Sequence, residues 1–276
     1  MVRQAERTYL VVGHVTKDVA PEGDFVAGGT ATYAGFMAKQ LGWHPVIVTA
    51  AAADFHPPTC LADAEWHIRP SPHTTTFRNL YSHGGRRQKV GPVARPIRPD
   101  DIPPHCLGAA LVHLGPVAQE VDPQLAGVFE TNSVVVTPQG WMRGWDEQGN
   151  VFRIAWQGTE LLDKFRAVVI SIEDIAGDWS LAERLSRPAT VLVVTEGARG
   201  CTVFSDGRHR RVPVQPARVV DPTGAGDVFA AAFFIRYYES KDVFESARFA
   251  NVAASLSIQR PGIQAAPTRR QVEDSL

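Results

Sequence analysis

The feature that most constrains the fold is a series of short apolar runs separated by longer segments. The runs cover residues 9–13, 45–49, 111–114, 133–137, 167–171 and 191–195. Such short runs, rich in β-branched residues and without polar alternation, are typical of strands that are covered on both faces. Because helical spacing separates several of them, βαβ units are expected. The sequence therefore predicts an α/β fold with a parallel sheet.

The segments between these runs contain candidate helices and one hairpin. Residues 30–41 are rich in alanine and end at Gly42, which suits the position after a helix, and Gly29 or Thr30 can cap the helix start. Helical patterns also occur over 119–130, 179–185, 226–238 and 243–259. Residues 202–204 and 210–214, separated by Asp206 and Gly207, predict a hairpin.

Residues 54–104 differ from the rest of the chain, because proline, histidine, arginine and glycine are frequent there. Within them, 74–81 and 86–90 flank Gly84 and Gly85 and predict an antiparallel hairpin. This segment is interpreted as an excursion from the main domain. A disordered loop is the alternative interpretation.

Charge, apolar patterning and cysteine spacing exclude several classes of function. The 28 basic and 29 acidic residues give a net charge of -1, so no nucleic-acid or membrane partner is expected. No run of about 18 apolar residues occurs, so no membrane span is expected. The three cysteines form no CxxC motif, so neither a zinc site nor a disulfide framework is predicted. Free thiols favour a reducing, cytoplasmic location.

The segment that carries most chemistry is Asp-Pro-Thr-Gly-Ala-Gly-Asp at 221–227, followed by an apolar helix. Free N–H groups and the helix dipole favour an anion at such a helix start. The carboxylate of Asp227 lies at the same place. An anion site beside a carboxylate suits phosphoryl transfer, in which the aspartate takes the proton of the attacking hydroxyl. The alternative is a plain helix start with a turn of glycines.

The run DPTGAGDVF at 221–229 resembles the C-terminal signature of the ribokinase-like, or PfkB, family of sugar and nucleoside kinases. Further family landmarks follow the family order along nearly the whole chain: Gly28 and Gly29 before an alanine-rich helix, the run 194–200, Ala250 with Asn251, Pro261 with Gly262, and 267–269. Several peripheral segments are similar to the plant inositol kinase branch of that family.

The resemblance implies one ribokinase-like kinase domain over 1–276, with a doubly wound, mostly parallel sheet and a small β lid from about 15–27 and 70–92. It implies that Asp227 is the general base and that Gly224, Ala225 and Gly226 form the anion hole. The expected substrate-binding residues are Asp18, Gly28, Gly29, Tyr33, Thr76, Arg78, Gln139 and Arg143. The expected nucleotide-binding residues are Thr195, Gly197, Gly200, Thr223 and Asn251. The implied cofactors are ATP and Mg²⁺, with Asp174 orienting magnesium-bound water.

Two positions depart from the family pattern. Tyr33 stands where the family often has asparagine in the helix after the two glycines. Ser171 begins the sequence Ser-Ile-Glu-Asp at 171–174, where the family has N-x-x-E. The first departure predicts a reshaped substrate pocket, and the second predicts a weaker metal site.

The resemblance implies an ATP-dependent kinase that transfers the γ-phosphoryl group to a hydroxyl of a small sugar or cyclitol, with myo-inositol as a candidate. One alternative is a nucleoside kinase, for which Phe25, Tyr33 or Phe77 supplies an aromatic shelf. The other alternative is a catalytically weak relative that binds nucleotide or sugar. The expected partners are a polyhydroxylated small molecule and a second copy of the chain, which would associate through the lid edge.

Overall fold

In the computed structural model, which describes residues 7–19, 25–82, 85–129, 133–156 and 158–276, fifteen strands form three sheets. The strands are β1 (Thr8–Val12), β2 (Thr16–Val19), β3 (Phe25–Gly28), β4 (His44–Ala51), β5 (Glu65–Pro70), β6 (Thr75–Ser82), β7 (Gly85–Val90), β8 (Leu111–Leu114), β9 (Val134–Val136), β10 (Arg143–Trp145), β11 (Val151–Arg153), β12 (Ala167–Ser171), β13 (Val191–Thr195), β14 (Cys201–Ser205) and β15 (Arg208–Val212). The α-helices are α1 (Thr30–Gln40), α2 (Trp179–Ser186), α3 (Ala225–Ser240), α4 (Val243–Ser257) and α5 (Arg269–Glu273).

The main sheet has nine strands in the order β15-β14-β13-β12-β9-β8-β1-β4-β5. All neighbours pair in parallel except β13 with β14 and β14 with β15, which pair antiparallel. The predicted mostly parallel α/β fold is therefore confirmed, as is the hairpin that β14 and β15 form.

Helices and turns cover both faces of this sheet, as a doubly wound arrangement requires. On one face, α1, α3 and α4 pack in a core that contains the fully buried rings of Phe233, Phe234 and Phe249. On the other face, α2 and several 3₁₀ turns pack around Phe165 and Leu185. Among the described residues, no helix combines the length and the apolarity that a membrane span needs.

The helix predicted over 119–130 is wrong, because residues 119–129, the part of it that the structure describes, form no α-helix and contain the 3₁₀ turn Pro123–Gly127. Gln119 has a positive φ of 61°, and Asp122 caps the turn by accepting a hydrogen bond from the N–H of Gln124. One helix start also differs from the prediction, because helix α3 begins at Ala225 with Gly224 as its N-cap. Helix α1 begins at Thr30 with Gly29 as its N-cap, which is one of the two predicted caps.

A second sheet has four strands in the order β3-β2-β6-β7. Strands β2 and β6 pair in parallel, whereas β2–β3 and β6–β7 pair antiparallel. The predicted hairpin is thus confirmed as β6 and β7, although Gly84 in its turn lies outside the described residues. This small sheet draws on both segments that the sequence assigns to a lid. Its role as a lid, and the assignment of 1–276 to one domain, stay predictions.

A buried carboxylate joins the turns that follow two central strands. Glu120 accepts hydrogen bonds from the N–H of His14 (2.9 Å), after β1, and from those of Val117 (3.0 Å) and Ala118 (2.7 Å), after β8. A buried carboxylate is tolerated only where such donors satisfy it. Glu120 therefore holds the carboxyl ends of β1 and β8 in a fixed relation.

We expect Glu120→Ala to lower the free energy of unfolding by about 3 kcal/mol, because it leaves three buried N–H groups without their acceptor. Urea unfolding followed by circular dichroism measures this difference. The matched control is Glu147→Ala, which removes an exposed glutamate and should leave stability nearly unchanged. Equal stability of the two variants would contradict the assigned role of Glu120.

Candidate active site

The predicted site residues lie around the carboxyl ends of the parallel strands, where open α/β sheets bind ligands. Asp18 lies in β2 of the small sheet, and Arg143 is the first residue of β10. Asp174 follows the end of β12, and Asp227 lies in the first turn of α3. The structure brings these four charged side chains together, since the charges of the other three all act on the carboxyl of Asp227.

The pKa of Asp227 lies well above its ordinary value. Burial raises its pKa to about 6; a hydrogen bond with the Thr30 side chain and the charge of Arg143 act in the opposite direction, and the charges of Asp18 and Asp174 add to the rise. The carboxyl is therefore mostly ionised at neutral pH but has a proton affinity close to that pH. Such a pKa suits a general base.

Gly224 is required by its backbone conformation and by its neighbour. It has a φ of 76°, and a Cβ at this position would overlap the ring of Tyr33. Gly226 differs, because it is exposed and nothing lies within 4 Å of the place where its Cβ would stand. The space over Gly226 is therefore open to a ligand, whereas Gly224 is closed by protein.

The N–H groups at the start of α3 differ in what they can offer an anion. The N–H of Ala225 donates to the carbonyl of Pro222 (3.2 Å), so this predicted donor already has an acceptor. Gly226 and Asp227 are the second and third residues of the helix, and their N–H groups have no partner within the helix. These two N–H groups are the better candidates for an anion hole.

Tyr33 occupies the place of the asparagine that is frequent in the family. Its side chain is buried, and burial together with the charges of Asp221, Asp18 and Asp227 raises its pKa above the usual range. The phenol therefore stays protonated as a neutral donor among carboxylates. The ring fills the space against Gly224, so the substitution couples α1 to the start of α3.

Gln139 and Asp174 form one polar unit at the site. The amide of Gln139 donates to Oδ1 of Asp174 (3.1 Å), and the N–H of Ser171 donates to Oδ2 (2.8 Å). Burial raises the pKa of Asp174, although both of these hydrogen bonds act to lower it. Ser171 therefore contributes its backbone to this unit, and its hydroxyl accepts from the N–H of Glu173.

Arg143 connects this unit with the small sheet. Its guanidinium donates to the carbonyl of Val117 (3.1 Å) and lies 5.6 Å from the ring centre of Phe77 on β6. Its positive charge acts on both Asp174 and Asp227. Arg143 is thus placed to hold negative charge between the two sheets.

The side of the site formed by the small sheet and the start of α1 contains Asp18, Gly28 and Gly29. Asp18 Oδ1 accepts a hydrogen bond from the Thr16 hydroxyl (2.8 Å). A Cβ at Gly28 would stand 2.6 Å from Asp18 Oδ2, and Gly29 has a φ of 84°. Glycine at both positions therefore lets the chain pass close to Asp18 before helix α1 begins.

The structure does not bring Thr76 and Arg78 together with Asp18. In the register of β2 and β6, Asp18 lies opposite Phe77 and shares its face of the small sheet. Because side chains alternate along a strand, Thr76 and Arg78 project from the other face. Their predicted contact with the same ligand therefore lacks support from this register.

The predicted nucleotide-binding residues Thr195, Gly197, Gly200 and Asn251 lie in or next to β13, β14 and α4, and Thr223 lies in the loop just before α3. Thr195 ends β13 and Gly197 opens a 3₁₀ turn. Gly200 has a φ of 90°, and the buried Asn251 amide donates to the carbonyl of Val212 (3.0 Å). Asn251 therefore holds α4 against the end of β15. Nucleotide contact by these residues stays a prediction.

The sequence did not assign roles to two residues that shape the site. Thr30 was a candidate helix cap, but its side chain bonds to Asp227. Asp221 accepts hydrogen bonds from the N–H groups of Thr223 (2.9 Å) and Gly262 (3.2 Å). Although burial raises the pKa of Asp221, these hydrogen bonds outweigh it and lower the pKa. The role of Asp221 could be predicted from its place in the Asp221–Asp227 motif. No neighbouring residue in the sequence indicates the hydrogen bond between Thr30 and Asp227.

The residues present fit a hydrated magnesium ion beside a phosphate. Asp18, Asp174 and Asp227 supply the oxygen donors that Mg²⁺ prefers, and Mg²⁺ usually keeps several of its waters. Both oxygens of Asp174 already accept hydrogen bonds, which suits contact through water. The open space over Gly226 is the place for phosphate oxygens.

The chain is similar to known carbohydrate kinases. The family described as "pfkB family carbohydrate kinase" matches residues 173–269. Ribokinase from Bacillus subtilis is 41% identical over 100 residues, which cover 36% of this chain and 34% of that protein. Inositol 3-kinase from Zea mays is 27% identical over 264 residues, which cover 91% of this chain and 65% of that protein. The chain thus spans about a third and about two thirds, respectively, of the length of these relatives.

Among solved structures, a pyrophosphate-dependent kinase in the ribokinase family, complexed with a pyrophosphate analog and myo-inositol, is similar with a TM-score of 0.80. The match covers 97% of this chain and 100% of that chain at 22% identity. At this identity the likeness shows the fold. The expected ribokinase-like architecture is therefore confirmed.

We expect Gly224→Ala and Gly226→Ala to differ sharply in stability. The first variant forces a positive φ on alanine and a clash with Tyr33, and should lower the free energy of unfolding by about 2–3 kcal/mol. The second adds a methyl group to open space in a helix, and should leave stability unchanged or slightly raised. Thermal unfolding of both variants measures the difference, and equal melting temperatures would contradict the geometry.

Proposed function

We propose that this chain transfers a phosphoryl group to a hydroxyl of a small sugar or cyclitol, because residues 173–269 match the pfkB family of carbohydrate kinases. The observation that carries this proposal is the ionisable Asp227 beside the open start of α3. The base, Asp227, and the anion site, the N–H groups at the start of α3, therefore lie within one helical turn. These are the two groups that phosphoryl transfer to an alcohol needs from the protein.

In the proposed reaction, Asp227 accepts the proton of the acceptor hydroxyl as its oxygen attacks. The N–H groups of Gly226 and Asp227 donate to the oxygens of the phosphoryl group in transfer, where negative charge is spread. Arg143 adds a positive charge that acts on the same region. The phosphate donor with Mg²⁺, when bound, supplies the phosphoryl group and neutralises part of its charge.

Two residues would hold the metal and orient the acceptor. Asp174, fixed by Gln139 and the N–H of Ser171, would hold magnesium-bound water. Asp18, fixed by Thr16, would accept a hydrogen bond from a hydroxyl of the acceptor. Because the bonds of Asp18 and Asp174 restrict their rotamers, both carboxylates are oriented before a ligand binds.

A cyclitol such as myo-inositol is the acceptor that the proposal favours. The relative from Zea mays that covers most of this chain is named an inositol 3-kinase. The structure similar in fold is described with bound myo-inositol. Asp18, Gln139 and Arg143 add acceptors and donors on several sides of the site, which suits a ring with many hydroxyls. Inositol phosphorylation is therefore the first activity to measure.

ATP is the proposed donor, and pyrophosphate is the second candidate. A nucleotide is favoured because Val219 and Val220 are exposed apolar side chains directly before the Asp221 loop, where they offer a surface for a base. Pyrophosphate deserves a test because the fold relative with bound myo-inositol is named a pyrophosphate-dependent kinase. The choice of donor is part of the experiment below.

The small sheet is proposed to act as a lid and to support a homodimer. Its edge strand β3 carries Phe25, which is 59% exposed, and Val26, which is 47% exposed. An exposed edge with apolar side chains favours pairing with a second copy. Sedimentation over a range of protein concentrations distinguishes a dimer from a monomer.

We expect the purified chain with Mg²⁺ and ATP to phosphorylate myo-inositol faster than ribose or cytidine. Pyrophosphate replaces ATP in a parallel set of reactions, and product formation is followed by phosphorus NMR. Asp227→Asn should lower kcat by about 10²–10⁴-fold with little change in donor affinity, because the base acts in the chemical step.

The controls make each outcome informative. Glu147→Ala removes an exposed carboxylate elsewhere and should keep full activity. Faster turnover of cytidine would favour the nucleoside kinase alternative. Binding of acceptor and donor without turnover would favour the weakly active relative. An Asp227→Asn enzyme with wild-type kcat would show that the base is another group.

A further inference from the structure

A cluster of metal-ligating side chains lies away from the candidate active site. Glu65, His67, His105 and Cys106 have ligand atoms that all lie within 4.8 Å of one another. The first two belong to β5, and the last two to the 3₁₀ turn Pro104–Cys106. The cluster therefore joins two segments that are 40 residues apart in the chain.

The cluster lies at the end of the sheet opposite to the active site. β5 is the edge strand of the main sheet, and Glu65 is its first residue. His44, which begins the neighbouring β4, approaches the second carboxylate oxygen of Glu65 at 3.9 Å. The candidate active site lies at the carboxyl ends of the parallel strands. The cluster is therefore separate from the groups that the proposed reaction uses.

Both imidazoles are hydrogen-bonded to one carboxylate oxygen of Glu65. Nε2 of His67 and Nε2 of His105 each lie 2.6 Å from the same oxygen, Oε1 of Glu65. Their ring centres are 5.4 Å apart, with an angle of 57° between the planes. Because Glu65 and His67 are two residues apart on a strand, their side chains share one face.

Cys106 adds a sulfur ligand to this group. Its side chain is buried, and its Sγ belongs to the group of ligand atoms that lie within 4.8 Å of one another. A metal ion would displace the thiol proton to solvent and join the thiolate to the carboxylate.

Two histidines, one cysteine and one glutamate form a ligand set that suits Zn²⁺ in tetrahedral geometry. Calcium and magnesium prefer oxygen ligands alone, so they are disfavoured here. Tetrahedral zinc needs ligand atoms about 3.5 Å apart. The widest pair of ligand atoms therefore has to approach by about 1.3 Å, and the Nε2–Oε1 pairs at 2.6 Å have to separate by about 0.9 Å. The His105 side chain is 60% exposed, which leaves room for such a shift.

We propose that Glu65, His67, His105 and Cys106 bind one zinc ion that ties the 3₁₀ turn to the edge strand β5. The sequence gives no signal for this site, because the ligands come from two distant segments without a CxxC motif. Since the ion binds only the folded chain, it stabilises the fold in proportion to its affinity and concentration.

The test uses the full chain without an affinity tag, stripped of metal with a chelator that is then removed. Cobalt(II) is titrated first, because a tetrahedral site with a thiolate gives strong visible bands and a thiolate charge-transfer band in the near ultraviolet. Zinc(II) should displace one cobalt per chain and abolish these bands. Thermal unfolding with and without zinc measures the stabilisation.

Two variants test whether the side chains bind metal, independently of whether the chain folds. Cys106→Ser should abolish the charge-transfer band, and His105→Ala should weaken zinc binding at least tenfold. Because His105 is largely exposed, the His105→Ala chain is expected to fold, and circular dichroism checks this. His56→Ala removes an exposed histidine outside the cluster and should bind like the wild type.

Three results would overturn the proposal. They are cobalt spectra without a thiolate band in the wild type, equal zinc affinity of the wild type and His105→Ala, and a melting temperature that zinc does not change. Any of them would mean that Glu65 and its two histidines form only a hydrogen-bonded cluster. None of these readouts depends on phosphoryl transfer, so the outcome is independent of the proposed function.

Discussion

The burial of helix α3 is the constraint on which the candidate active site depends. All of its residues from 228 to 235 are buried between α1, α4 and the main sheet. An apolar helix of this kind has one stable place, and its first turn is then fixed at the carboxyl ends of the strands. The ring of Tyr33 packs against Gly224, and this contact fixes the first turn of α3, which carries Asp227.

Holding Asp227 in this position costs electrostatic free energy. Three carboxylates, Asp18, Asp174 and Asp227, share one region with the guanidinium of Arg143. Repulsion and burial together raise the pKa of Asp227, which is a free-energy penalty on its ionised form. Such arrangements are common at functional sites, because a bound cation relieves the repulsion that the empty protein carries. Ligand binding and the charge state of Asp227 are therefore coupled.

Local sequence patterns predicted the strands, the long helices and the Asp221–Asp227 motif. This was possible because the residues that make a strand apolar, or that begin a helix, are neighbours in the chain. These patterns failed where a contact over long range decides the structure. The helix predicted over 119–130 gives way to turns, since the Glu120 carboxylate serves N–H groups of two strand ends. Thr76 was assigned to the site without knowledge of the β2–β6 register. The zinc ligands meet only after folding joins β5 to a distant turn.

The most direct test of the central claim is the pH dependence of kcat/KM for phosphorylation of the acceptor, which reports groups of the free enzyme. The account predicts that kcat/KM rises with pH as Asp227 loses its proton, with a midpoint near its pKa of about 6, and then reaches a plateau. A midpoint near the ordinary aspartate value of about 4, or no change in this range, would contradict a buried Asp227 as the general base.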